Sequence, residues 1–446
     1  MKTSSLNAQP SKDHVSRRQF LQQSSLVATG AAVAVHAPFV LTSHAAADDP
    51  IRIGLIGCGG RGNGAAFDAI AVDAAAARPN IKVVAVGDIF KNRLELCQFA
   101  LQTKGQTVAE DHCFLGFDAY QKVLAVPEVN CVILATPPGF RPIHLRAAVE
   151  AGKHVFMETP AAVDPPGVRS VIESGEVAAK KNLSIVAGTQ RRHQNNYIET
   201  VKRLQDGAIG DILTARVYAN SQGDGQITRA PELSDMEWHL RAWHTHTWLS
   251  GDLIVESHIH NLDVINWILN AHPIKATGMG GRQVRTLGYG YDHFATEFEY
   301  ANGARMFSYC RQINGCQDAL SEAVTGLKGS SDCFQSIQVK GGPAWRFPKP
   351  TSNFKAGRGD GGTNVGYPQE HVDLIRSIRN GQPINDAKQI AESTLTAIMG
   401  RLSAYTGQTM EWDKVLDAKL DLSPAKYEIG PLPTPPVPMP GKYKLT

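Results

Sequence analysis

The 446-residue sequence predicts an α/β protein with an N-terminal doubly wound parallel sheet of the Rossmann type and a second domain with its own sheet. Three observations lead there. Apolar strand-like runs alternate with helical patterns from Ile51 onward, a glycine-rich turn follows the first run, and several runs end in polar or acidic residues, as strands do at the rim of a ligand crevice. With 42% hydrophobic and 20% charged residues, the chain carries enough apolar mass for two domains.

Ahead of the first strand, "SRRQFL" (Ser16 to Leu21) precedes an uncharged, mostly apolar run from Leu26 to Val40 and the small-residue stretch "HAAA" (His44 to Ala47). This pattern predicts a twin-arginine export signal over residues 1–47, passage through the twin-arginine export machinery and a periplasmic location. The apolar run is short, Ala-rich and interrupted by His36 and Pro38, which argues against a permanent membrane anchor. Lys2, Lys12, Arg17 and Arg18 against Asp13 account for the whole formal charge of +3, so the remainder is near neutral and carries no basic surface for nucleic acid. Seven scattered cysteines, without a CxxC pair, argue against a disulfide framework or structural zinc, although Cys310 and Cys316 are near enough in sequence to pair.

"IRIGLIGCGGRGNG", starting at Ile51, is an apolar strand followed by Gly57-x-Gly59-x-x-Gly62 and a helical pattern that includes "AAFDAI" (Ala65 to Ile70). Such glycines allow a tight turn and bring backbone N–H groups close to a pyrophosphate at a helix N-terminus. Alone the motif is weak, but "IKVVAVGD" (Ile81 to Asp88) follows and ends in an acid suited to an adenosine ribose. The dinucleotide site therefore comprises Gly57, Cys58, Gly59, Gly60, Arg61, Gly62 and Asp88, with Arg93, Thr136, Pro137, His144 and Glu158 assigned beside them. Asp88 would repel a 2′-phosphate and favours NAD, while Lys91 and Arg93 leave NADP open.

Further elements alternate. "VNCVILATPP" (Val129 to Pro138) is a strand ending in Thr136-Pro137-Pro138, "HLRAAVEAGK" (His144 to Lys153) is helical, and "GKHVFMETPAAVDPPG" (Gly152 to Gly167) carries a strand that ends in Glu158-Thr159-Pro160. "NLSIVAGTQRRHQNNY" (Asn182 to Tyr197) contains another, and the first domain is drawn over residues 48–185. Beyond it, residues 186–429 form the second domain: "ATEFEY" (Ala295 to Tyr300), "GARMFSYCRQI" (Gly303 to Ile313) and "CFQSIQVKG" (Cys333 to Gly341) read as its strands. "QEHVDLIRSIRNG" (Gln369 to Gly381) is an amphipathic helix, and the Pro-rich residues 430–446 form an extended tail that wraps a neighbour or stays loose.

Taken together, "GLIGCGGRG", "VAVGDIFKNR", "ILATPPGFRPIHLRAAVEAGKHVFMETP", "SGDLIVESHIHNLDVINWIL" and "QEHVDLIRSIRNGQPI" resemble the Gfo/Idh/MocA oxidoreductases, over about Ile51 to Leu416. The resemblance implies an α+β C-terminal domain with an open, mostly antiparallel sheet, an NAD(P) cofactor, a sugar or polyol substrate, and a homodimer or homotetramer. Members usually read Glu-Lys-Pro where this chain reads Glu158-Thr159-Pro160. The lysine ammonium that polarises the reacting oxygen is missing, and Thr159 offers a hydrogen bond without positive charge.

The family's second catalytic element, an aspartate followed four residues later by histidine, corresponds to Glu256 and His260, which four-residue spacing would set on one helical face. His260 is the natural general base, and the longer acid leaves the role of Glu256 open between catalytic and structural. His239, His244, His246, His258 and His260 crowd the surrounding stretch, interleaved with Trp238, Trp243 and Trp248. A carbohydrate site, a metal site and ordinary packing each account for that density; no metal is assigned. Arg191, His193, Trp243, His244, Asp263 and Tyr367 are assigned to substrate.

Export adds a constraint, because free NAD(P) is scarce outside the cytoplasm. The expected activity is hydride transfer on a sugar, polyol or glycoside with a tightly held, internally recycled cofactor, the resemblance implying paired oxidation and reduction of two sugars. Transient oxidation to a keto sugar, supporting lyase, epimerase or glycosidase chemistry with or without a metal, is the alternative. A catalytically silent dinucleotide- or sugar-binding module is the reading from a different class.

Overall fold

In the computed structural model the described residues are 49–73, 79–223, 228–348 and 366–445; the expected export signal lies outside them. Six parallel strands form the first sheet: β1 (Ile51–Ile56), β2 (Ile81–Asp88), β3 (Cys113–Leu115), β4 (Cys131–Leu134), β5 (His154–Met157) and β6 (Ile185–Ala187), in the order β3-β2-β1-β4-β5-β6. That order reverses direction at β1, where a doubly wound sheet opens a crevice above its carboxyl edge. Helices cover both faces, so the strands bury both sides and read as unbroken apolar runs: all four residues of β4 are buried. The first domain extends to Ala187 along β6, two residues beyond the boundary at 185.

The second sheet has nine strands, β7 (Ile212–Ser221), β8 (Pro273–Gly281), β9 (His293–Tyr300), β10 (Arg305–Gln312), β11 (Ala319–Gly326), β12 (Gly329–Ser331), β13 (Ser336–Val339), β14 (Trp345–Arg346) and β15 (Met410–Glu411). Their order is β14-β13-β12-β11-β7-β10-β9-β8-β15. Among the described residues only the β10–β7 pair of this sheet is parallel, so the sheet is mostly antiparallel. Along β9 burial alternates, with Phe294, Thr296, Phe298 and Tyr300 turned inward, the period-two pattern of a sheet covered on one face. The covering element is the long helix Ala387–Thr406, buried almost throughout.

One apolar cluster runs from Leu134, Met157 and Val168 in the first domain to Leu395, Ile254 and Phe298 in the second. The domains therefore share a core rather than meet at a polar seam. Helix Gly366–Arg379 strengthens the join, since Leu374 and Ile375 belong to the apolar cluster of β1 and β2 although sequence order assigns them to the second domain. The tail also departs from expectation. Rather than hanging loose, it is bound to its own chain: Met236 N–H donates to Gly430, Tyr291 Oη donates to Pro438 at 2.8 Å, and Thr434 Oγ1 lies 2.9 Å from His239 Nε2. Cys310 and Cys316 are both free thiols, as are the other five cysteines. Among the described residues no helix is long and apolar enough to cross a membrane.

Candidate active site above the parallel sheet

A cavity of about 750 Å³ opens along the carboxyl edge of the first sheet, between the glycine turn and short helices of the second domain. Its first wall is the turn after β1. Gly57 has φ +101°, and a Cβ there would stand 2.7 Å from the Ala135 carbonyl carbon; a Cβ on Gly62 would stand 1.9 Å from the Gly57 oxygen. Glycine at these two positions lets β1 turn and lets the following helix, Gly60–Ala71, pack on the turn. Around Gly59 a Cβ would meet nothing within 4 Å, so the backbone there faces open space. No side chain caps this helix and no acid stands in its first turn, which leaves its N-terminal N–H groups free to receive an anion. Asp88, at the end of β2, accepts from Cys58 N and Phe90 N at 2.8 Å each, one bond per oxygen, with acceptor capacity remaining for ribose hydroxyls. These features fit a dinucleotide.

Most residues assigned to cofactor line this cavity: Gly57, Cys58, Gly59, Gly60, Arg61, Asp88, Arg93, Thr136, Pro137, His144 and Glu158. Gly62 serves it from behind, through its close approach to Gly57. His144 lies 3.2 Å from Thr136 Oγ1, and burial and the nearby Arg141 push its pKa down to about 3, so it is a neutral wall group.

Thr159, Glu256 and His260 meet at the inner end. His260 Nε2 stands 3.4 Å from Thr159 Oγ1. Burial, then the positive charge of Arg191, push the His260 pKa down to about 4, leaving the imidazole neutral at pH 7. Glu256 and His260 do not share one continuous helix: Glu256 closes a short helix, Leu253–Glu256, and His260 opens the next, Ile259–Leu269. Both still line the cavity, and Glu256 Oε1 lies 3.9 Å from His244 Nε2. Trp243, whose ring centre is 3.6 Å from that of His244, and Tyr367 complete the wall.

Three residues assigned to substrate are absent from the cavity wall. Arg191 is paired with Glu322, His193 Nδ1 lies 2.7 Å from Asp373, and buried Asp263 takes Arg192 (2.8 Å), Gln389 (2.7 Å) and Ser393 (2.8 Å). The histidine cluster divides likewise. His239 and His246 stack at 3.8 Å and His258 lies 2.9 Å from Ser308 Oγ; burial leaves all three neutral, with pKa values pushed down to about 4, 3 and 3. Only His244 and His260 of the five face the cavity. Among the described residues no group of three or more His, Cys, Asp or Glu side chains could hold a metal ion.

Arg141 is a functional residue that sequence reasoning missed. Fully buried at the start of helix Arg141–Glu150, it donates to the carbonyls of Thr136, Glu158 and, at 2.6 Å, Pro160, tying the ends of β4 and β5 together under the cavity. Burial holds its pKa down to about 10. An arginine three residues after a strand-ending "TPP" is its only sequence signal.

A dinucleotide cradle with a neutral histidine and hydroxyl at its inner end defines a nicotinamide-dependent oxidoreductase fold. Residues 51–188 match the model of the oxidoreductase family with NAD-binding Rossmann fold, and residues 197–331 match the GFO/IDH/MocA C-terminal domain. Those stretches together exceed half the chain, which belongs to the Gfo/Idh/MocA oxidoreductase family and has an NAD-binding Rossmann domain. An inositol 2-dehydrogenase of Rhizobium meliloti is 22% identical over 342 residues, 75% of this chain and 90% of that protein. A glycosyl hydrolase family 109 protein of Streptomyces coelicolor is 28% identical over 167 residues, 37% of this chain and only 33% of that protein's length. The solved structure of a levoglucosan dehydrogenase in complex with NADH and levoglucosan shares the fold, with TM-score 0.65 and 16% identity over 81% of this chain and 99% of that one.

Proposed function

We propose that this protein oxidises one sugar, polyol or glycoside by hydride transfer and returns the hydride to a second sugar, is exported by a twin-arginine signal, and keeps its dinucleotide bound and so recycled within the site. The meeting of His260 and Thr159 at the inner end of a dinucleotide cavity carries the reading. His260 is neutral at working pH and offers a lone pair to the substrate hydroxyl, taking its proton as hydride leaves the adjacent carbon. Thr159 holds the same oxygen by a hydrogen bond, and Trp243 offers an apolar face to sugar C–H groups. Bound NAD supplies the hydride acceptor, held by the glycine turn and Asp88; Arg93 leaves NADP as an alternative. Export supports cofactor retention, since a dehydrogenase that released NADH each turnover would stall where dinucleotide is scarce.

A second reading, transient oxidation that labilises a neighbouring bond before hydride returns, is favoured by the likeness to a glycosyl hydrolase family 109 protein and by the second acid, Glu256, on the cavity wall. Mass spectrometry of the purified protein tests retention, and addition of sugars and glycosides separates the two readings. Paired oxidation and reduction leaves a keto or lactone product from one sugar and a reduced product from another, while transient oxidation yields cleaved or epimerised product from a single sugar; in both the dinucleotide ends oxidised again. Protein that binds no dinucleotide would end both.

A further inference from the structure

In the cofactor wall, one guanidinium faces three carboxylates. Arg61, the second residue of helix Gly60–Ala71, donates through Nε to Glu158 at the end of β5 and lies 3.7 Å from Asp68 on its own helix. Its guanidinium rests 4.7 Å from the centre of the Tyr367 ring. From helix Gly366–Arg379, Glu370 brings its Oε2 to 3.8 Å from Arg61 Nη2. Glu370 is 0% exposed, and among the described residues neither of its oxygens accepts a hydrogen bond, while Arg61 Nη2 is buried and donates none. A buried donor and a buried acceptor thus face each other, unsatisfied, slightly beyond bonding distance.

Unsatisfied buried polar groups are costly, and a buried donor and acceptor that face each other point to a state in which both are satisfied. Arg61 stands where the uncapped helix N-terminus attracts the anionic part of a dinucleotide, so arrival of that ligand changes the balance of pulls on its guanidinium. We propose that Glu370 is a positioning residue of the cofactor site, which releases its proton to solvent and receives the Arg61 guanidinium when ligand hydroxyls compete with Arg61 for Glu158. Closing the 3.8 Å gap satisfies Nη2 and Oε2 together and frees the Glu158 carboxylate to accept hydrogen bonds from ligand hydroxyls. Burial and the neighbouring Glu158 hold the Glu370 carboxyl well above the ordinary carboxylate range before the exchange, consistent with a group still waiting for its cation.

The inference rests on dinucleotide binding and is tested by calorimetric titration of NAD into protein stripped of retained cofactor, alongside thermal unfolding of the unliganded protein. Glu370→Gln should weaken NAD binding by about tenfold, the worth of one charge-assisted hydrogen bond. It should leave the unliganded melting temperature unchanged or higher, because it removes an unsatisfied buried acid. Arg61→Lys should show the same loss, and adding Glu370→Gln to it should cost no further affinity. Wild-type affinity in Glu370→Gln, or a loss that adds in full to that of Arg61→Lys, overturns the exchange. A lowered melting temperature with recovery of affinity at low temperature marks a merely structural Glu370 and overturns it too. Wild-type protein that takes up no NAD sinks the dinucleotide reading first, and this one with it.

Discussion

At the cofactor end of the cavity, β1, the turn at Gly57 and the helix from Gly60 form one unbroken stretch, joined by Asp88 at the end of the neighbouring strand. At the inner end, Thr159, Trp243, Glu256, His260 and Tyr367 arrive from separate segments of both domains. The first end is built mostly of backbone, and the second almost entirely of side chains. A backbone site depends on what cannot be added to it, whereas a side-chain site depends on the arrangement of its supports, here Arg141 beneath the strand ends and helix Ala387–Thr406 behind the second sheet.

The sharpest way to separate the ends is to remove the base without touching the cradle. His260→Asn should lower kcat by about 10²- to 10⁴-fold, the usual worth of a general base, while retained dinucleotide per protein stays unchanged; steady-state kinetics with cofactor quantification checks this. The reverse lesion is Gly62→Ala, whose Cβ would stand 1.9 Å from the Gly57 oxygen. It should abolish cofactor retention and cost about 1–3 kcal/mol of stability in denaturant unfolding. Retention in Gly62→Ala would break the comparison, because it would mean the turn is not what holds the dinucleotide.

Legibility in sequence follows the same division. The cradle was readable because contiguous residues with local conformational demands build it, down to the exact span of β2. His260 and Thr159 were readable only through motifs in a fixed order, and the spacing argument for Glu256 overlooked the helix break at Ser257 and His258. Arg191, His193 and Asp263 have the right chemistry for substrate but are paired with Glu322, Asp373 and Arg192, partners 71 to 180 residues away that no local pattern reveals. Arg141 and Glu370 were missed for the same reason, since burial and long-range pairing define what they do.

Smaller effects refine the inner end. Trp243→Ala should raise KM for the sugar by about tenfold with kcat nearly unchanged, the loss of one aromatic face. The smallest effect is that of pH on activity. With the His260 pKa near 4, kcat/KM should change by less than about twofold between pH 6 and 8 and fall as pH drops through about 4, where the base is protonated. Stability should follow the same direction over a wider window. His144, His246, His258 and His371 are pushed down to about 3 and His239 to about 4, chiefly by burial, so the unfolded chain binds more protons than the folded one below the ordinary histidine pKa of about 6.5. Stability present above about pH 6.5 is lost as pH falls toward about 3, which a series of thermal melts would trace.

Whether the two ends meet in a hydride-transfer centre can be read from the near-ultraviolet absorbance of reduced nicotinamide after mixing the purified protein with a panel of sugars, polyols and glycosides. A reduced band should form with at least one of them, and about 10²- to 10⁴-fold more slowly in His260→Asn. Retained dinucleotide that none of them reduces, in the wild type and in Thr159→Lys alike, would contradict it and leave the protein as a binding module.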